Sequence, residues 1–217
     1  MEAAATAAAP VGHPQGNKFW QMANRSSYIA GWVTVGGAIV FFVTVLALHM
    51  LQPGYDPVHQ LMSALALGPH GWLMRVAFSG LAVSILAAQY GLASFGAPLG
   101  LRTLLIVAAL SLFGAGIFRL GDASQVHVAL VDLAFVSLVL AMYLLARLRG
   151  TLVPRSVVML CWGLIAGTIF NVALGCSVIP VGIGQRAATL CVLVWLGVMG
   201  WMIIRVELVN RRGANKA

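Results

Sequence analysis

The chain has 217 residues, 61% of them hydrophobic and 8% charged, with a net charge of +8. Globular domains carry about 25% charged residues, and no soluble interior holds this much apolar surface, so the composition predicts an integral membrane protein. The basic residues flank apolar runs and do not cluster with interleaved aromatics, which excludes a single-strand nucleic-acid groove and makes anionic lipid headgroups their expected partners.

In chain order, residues 1–28 are Ala-rich and polar, without a basic region leading into a short apolar stretch. They read as a disordered cytoplasmic tail, not a cleaved signal peptide. Six apolar stretches follow: Ile29–Met50, Gly71–Phe95, Arg102–Leu120, Val126–Ala146, Arg155–Gly175 and Arg186–Val206. Each is about long enough to span a bilayer as a helix. Residues 207–217 form a basic cytoplasmic tail. The fold class is thus an all-α bundle of six transmembrane helices. With the N-terminus inside, ten Lys and Arg residues fall on the inner side and Arg75, Arg119 and Arg186 on the outer. That bias places both termini in the cytoplasm of a multi-pass cell-membrane protein. Trp20, Trp32, Trp72 and Trp201 stand near span ends as interfacial anchors.

The first connector, QPGYDPVHQLMSALALGPHGW (residues 52–72), concentrates polar groups and carries helix punctuation. Asp56 is a good N-cap, with Pro57 at the first helical position, and Gly68 can supply a left-handed cap before Pro69. Val58, Leu61, Met62 and Leu65 share one face, with His59, Gln60 and Ser63 on the other. The pattern predicts a short amphipathic helix lying over the outer end of the bundle.

Small residues mark packing positions: Gly80 with Ser84 in the second span, Gly114 and Gly116 in the third, and Gly163 and Gly167 as a GxxxG in the fifth. Contact within the bundle is the first reading of these, a homo-oligomer face the alternative. Cys161, Cys176 and Cys191 fit neither zinc spacing nor a disulfide framework and read as small packed thiols.

Gly54-Tyr55-Asp56-Pro57, Ser63-x-Leu65 and Gly71-Trp72-Leu73-Met74, followed by Phe118-Arg119-Leu120-Gly121-Asp122 and His127, resemble the signature of a bacterial six-span membrane family, domain of unknown function 998. The resemblance runs over roughly residues 29–150 and is weaker beyond. It implies a six-helix bundle and no established activity. Where members often carry charge after the Asp-Pro and after the Ser, this chain has Val58-His59-Gln60 and Ala64.

The predicted topology collects Asp56, His59, Ser63, His70, Arg75, Arg119, Asp122, His127, Asp132, Asn171, Gln185 and Arg186 at the outer end, with His49 beside them. Asp132 lies about 9 Å inside the fourth span. A charge at the centre of a spanning helix costs about 2.5–3.5 kcal/mol, so Arg75 or Arg119 is its expected counter-ion. The leading function is non-enzymatic: binding or translocation of a small molecule or lipid in an outward-facing polar cavity. Its ligand-binding residues are Asp132, Arg75, Arg119 and His127, joined by Asp122, Asp56, Ser63 and His59. Asp132 holds a proton or cationic group in this reading, and His127 titrates near neutral pH. No cofactor or metal is expected. His127 and Asp132, five apart, point about 140° from each other, and no HExxH or paired-His spacing occurs. The runner-up is a metal-dependent enzyme acting on a lipid or lipid-linked substrate; the third reading is a structural subunit of a membrane complex. Haem ligation by His49 and His127, and a Ser63–His59 hydrolase, are weaker alternatives.

Overall fold

The computed structural model describes residues 25–121, 123–148, 153–174 and 178–214. Six α-helices follow in order: α1 (Arg25–Leu51), α2 (Leu73–Ser94), α3 (Leu99–Ile117), α4 (Ser124–Arg147), α5 (Arg155–Leu174) and α6 (Val181–Ala214). A long connector, residues 52–72, joins α1 to α2. Every helix packs on its sequence neighbours, α1 closes the ring against α6, and α2 also touches α6. Five of the helices are long and apolar enough to cross a membrane, while α5 is the shorter apolar helix over Arg155–Asn171.

The sequence makes these helices apolar on both faces. Inside, Leu48, Met74, Ile85, Leu105, Met142 and Trp195 are fully buried. Outside, Ile39, Phe42, Leu110, Val136, Ile169 and Leu190 are each more than half exposed. Large apolar side chains on every outer surface require lipid as the surrounding solvent, and so a multi-pass membrane protein in contact with lipid. Trp32, Trp72 and Trp201 are likewise more than half exposed; Trp20 lies outside the described residues.

Close approach of backbones sets the seams. A Cβ on Gly37 would strike the Gly80 carbonyl, and Ser84 Oγ donates to the Thr34 carbonyl at 2.5 Å, so α1 and α2 meet at a small-residue seam. Gly31 and Gly200 do the same for α1 and α6. The GxxxG of α5 divides. Gly167 faces Cys191 Sγ of α6, whereas Gly163 has no atom within 4 Å of its Cβ position. Cys161 is buried and Cys191 half-buried; Cys176 lies outside the described residues.

The first connector departs from the expected amphipathic helix. Asp56 does cap a turn: its Oδ1 accepts from the N–H of Val58 (2.8 Å) and of His59 (3.3 Å). The turn then ends, and after an extended Leu61 a five-residue 3-10 helix follows, Met62–Ala66. Met62, Leu65 and Ala66 are buried, so the apolar side covers the end of the bundle. Ser63, expected opposite them, is only 3% exposed and also faces inward, because the tighter 3-10 turn rotates it away from His59. The left-handed residue is His70 (φ 58°), not Gly68. Gly68 is needed for space, since a Cβ there would collide with the Gln52 side-chain amide.

Candidate functional site

The connector is held by the helices on either side of it. Gln52, just past α1, is buried and donates its amide to the carbonyls of Leu65 (2.9 Å) and Pro69 (2.7 Å). From the far side, the start of α6 grips the loop: the Gly182 N–H donates to the Val58 carbonyl (3.1 Å), and Gln185 Oε1 accepts from the Met62 N–H (2.6 Å). Arg186 completes the clamp. Its Nη1 donates to the carbonyls of Gly182 (2.8 Å) and Gln60 (3.3 Å), and its Nη2 to Tyr55 Oη (2.5 Å) and His49 Nε2 (3.0 Å). His49 Nδ1 lies 2.6 Å from the Val45 carbonyl, which only accepts, so the proton sits on Nδ1 and Nε2 receives the arginine. Tyr55 Oη donates to the Leu61 carbonyl (2.9 Å). Burial raises the Tyr55 pKa above the ordinary phenol value, against the opposing pull of Arg186.

Below the clamp, Ser63, His127, Asp132 and Gln185 line a cavity of about 90 Å³, with Leu61, Val128 and Val131 as its apolar wall. α4 supplies its histidine and carboxylate, the 3-10 helix its hydroxyl and α6 its amide. His127 is 2% exposed and stacks edge-on against Phe78. Its Nδ1 lies 2.9 Å from the Ala115 carbonyl and 2.8 Å from the Phe118 carbonyl, which fixes the proton on Nδ1. Nε2 is therefore an acceptor. It is buried and has no hydrogen-bond partner among the described residues. Asp132, the ninth residue of α4 and so about 12 Å from its start, is exposed at the side of the cavity. Because Gln185 uses its Oε1 on the connector, its amide N–H groups remain as donors. A second, apolar cavity of about 30 Å³ shares Ser63, Val131 and Gln185 with the first and extends toward Phe135 and Leu138.

Of the residues singled out from sequence, Asp132, His127 and Ser63 thus come together, and Gln185 completes their set. Arg75 is exposed in the first turn of α2 and Arg119 half-buried beyond α3. Neither forms the expected ion pair with Asp132 among the described residues. Asp56 and His59 pair with each other on the connector at 2.8 Å, well exposed. The hydrogen bond from His59, then that from the Val58 N–H, holds the Asp56 carboxyl below the usual aspartate value. Asp122 lies outside the described residues. His49 and His127 line different cavities and so do not face one iron. Among the described residues no three His, Cys, Asp or Glu side chains converge as a metal ion would require. Sequence reasoning passed over Gln52, Tyr55 and Arg186 as site residues. The available signal was Gln185-Arg186 at the head of an apolar run, polar groups that a membrane helix keeps only when another element receives them.

No curated protein and no solved structure matches the chain. The family comparison reaches further along the chain than the resemblance over residues 29–150, taking in α5 and most of α6 with the clamp. Residues 35–202 match the family described as Protein of unknown function (DUF998), and the protein belongs to that family.

Proposed function

We propose that the protein binds a small polar molecule, or the polar head of a lipid, in the cavity formed by Ser63, His127, Asp132 and Gln185, with transport across the bilayer as the extension of that role. One observation carries the reading: a buried histidine with an unmet acceptor lines the same cavity as a carboxylate that has no partner among the described residues. A buried unsatisfied polar atom costs about 1–3 kcal/mol, and an acid within a spanning helix more, so both are expected to be retained for a ligand. The donor set favours a species that gives hydrogen bonds or positive charge to Asp132 and His127 and accepts from Gln185. At about 90 Å³ the space holds several waters or a ligand portion of a few heavy atoms.

In this reading α5 also crosses the bilayer, giving six spans, and the Lys and Arg bias puts both termini in the cytoplasm and the cavity on the outer side. Native mass spectrometry of the protein released from mild detergent is the test. A retained small molecule in the wild type that is absent from Asp132→Asn and His127→Leu supports the reading. Equal retention by all three proteins, or none by a folded wild type after incubation with membrane extract, refutes it.

A further inference from the structure

A third cavity, of about 400 Å³, lies between α1 and α6. Its volume is in the range of established ligand sites. Phe41, Val45 and Met62 form a buried floor, while Phe42, Leu46 and Leu190 are half-exposed walls, so the groove opens sideways into the surrounding lipid. It extends from His49 back to Phe41 on α1, about 12 Å, and from Arg186 on to Leu193 on α6, about 10 Å. Its lining is apolar apart from Thr189, whose hydroxyl donates to the Gln185 carbonyl, and one end, where His49 and Arg186 sit.

That end carries a cation with no acidic partner among the described residues. Every group that Arg186 contacts is neutral: two carbonyls, a phenol oxygen and the lone pair of a histidine. The carboxylate of the same connector, Asp56, is turned to His59 and the backbone N–H groups of its own turn. The position is at headgroup level. His49 is two residues from the end of α1, Arg186 is in the second turn of α6, and the exposed Trp72 marks the interface at this end. A fixed guanidinium over a trough of apolar side chains has the shape and charge of an amphiphile with an anionic head.

We propose that this groove is a site for an anionic phospholipid, with an acyl chain between α1 and α6 and the phosphate at Arg186. It is separate from the polar cavity: no residue of the pair His49 and Arg186 lines that cavity, and none of His127 and Asp132 lines the groove. The experiment is native mass spectrometry of the full chain from nanodiscs with equal phosphatidylglycerol and phosphatidylcholine of identical chains. The wild type is expected to retain phosphatidylglycerol about fivefold over phosphatidylcholine, the preference one basic residue gives at a membrane surface. Arg186→Gln is expected to abolish the preference. Leu46→Trp, which narrows the groove and leaves the Arg186 hydrogen bonds in place, is expected to lower the amount retained and keeps the test open if the arginine variant does not fold. Equal retention of both lipids by the wild type overturns the proposal. So does an unchanged preference in folded Arg186→Gln, or an unchanged amount of lipid retained by Leu46→Trp. A dimer without lipid that dissociates on Leu46→Trp overturns it in favour of a second copy as the occupant.

Discussion

Arg186 and Asp132 are both charges carried on apolar helices at the connector end, yet their surroundings are opposite. Arg186 gives its Nη hydrogens to neutral acceptors from three segments of chain and so fastens the connector to α6 and to α1, while its charge meets no acidic partner among the described residues. Asp132 has no hydrogen-bonding partner among the described residues and stands beside a cavity. A side chain whose hydrogen bonds the fold takes up is structural in the first place, and can attract a further group by its charge alone. A charge that the fold leaves available is the better pointer to a ligand. The same contrast separates the two histidines, since both ring nitrogens of His49 are used and one of His127 is not.

Substitutions can break or sharpen this contrast. The largest effect is expected at Gly182, where a Cβ would lie 2.5–2.6 Å from the carbonyl oxygens of Pro57, Val58 and Gln60. Gly182→Val should destabilise the protein by about 3 kcal/mol and undock the connector, seen as a lower thermal midpoint in mild detergent and faster proteolysis at 52–72. Arg186→Gln comes next, at about 2 kcal/mol, because charge-assisted bonds to the connector are lost. Gln52→Leu leaves the Leu65 and Pro69 carbonyls without their donor and should cost about 1.5 kcal/mol by the same measurement.

Two smaller effects complete the series. The Asp56 carboxyl titrates below its ordinary value in the folded chain, so its contribution is complete above the unfolded value near pH 4 and fades as pH falls through the lower folded value. The stability difference between wild type and Asp56→Ala should therefore be present at pH 6 and shrink on acidification below pH 4; a difference that grows on acidification would contradict the assigned hydrogen bonds. Asp132→Asn should cost no stability, because it removes an unpaired acid from a spanning helix, while still removing any species held in the cavity. A large stability loss at Asp132 would erase the contrast with Arg186 and return it to a structural role.

Much of the architecture was readable along the chain, and α2 and α4 lie within two residues of the predicted spans at each end. The membrane makes this possible, since a backbone surrounded by lipid must satisfy itself locally and so forms helices wherever apolar runs are long enough. α6 begins at Val181 rather than Arg186, because its first turn is stabilised by the connector and not by apolar composition. The expected amphipathic helix failed for a related reason. Met62 and Leu65 face inward as the period requires, but so does Ser63, and Gln52, Tyr55 and the head of α6 take up backbone groups of the connector and replace helical bonds with turns.

The sequence by itself determined the solvent, the apolar helices and the Asp56 cap that opens the connector, all of which depend on local composition and short-range hydrogen bonding. The tertiary structure alone decided which polar groups meet. Arg186 and His49 are 137 residues apart, and the four residues of the polar cavity come from three different elements. α1 and α3 are apolar all round, so no stripe announces the face that each turns inward. Helix order, rotation and the α1–α6 closure set those pairings, and they arise from small-residue contacts between distant segments that no local pattern encodes.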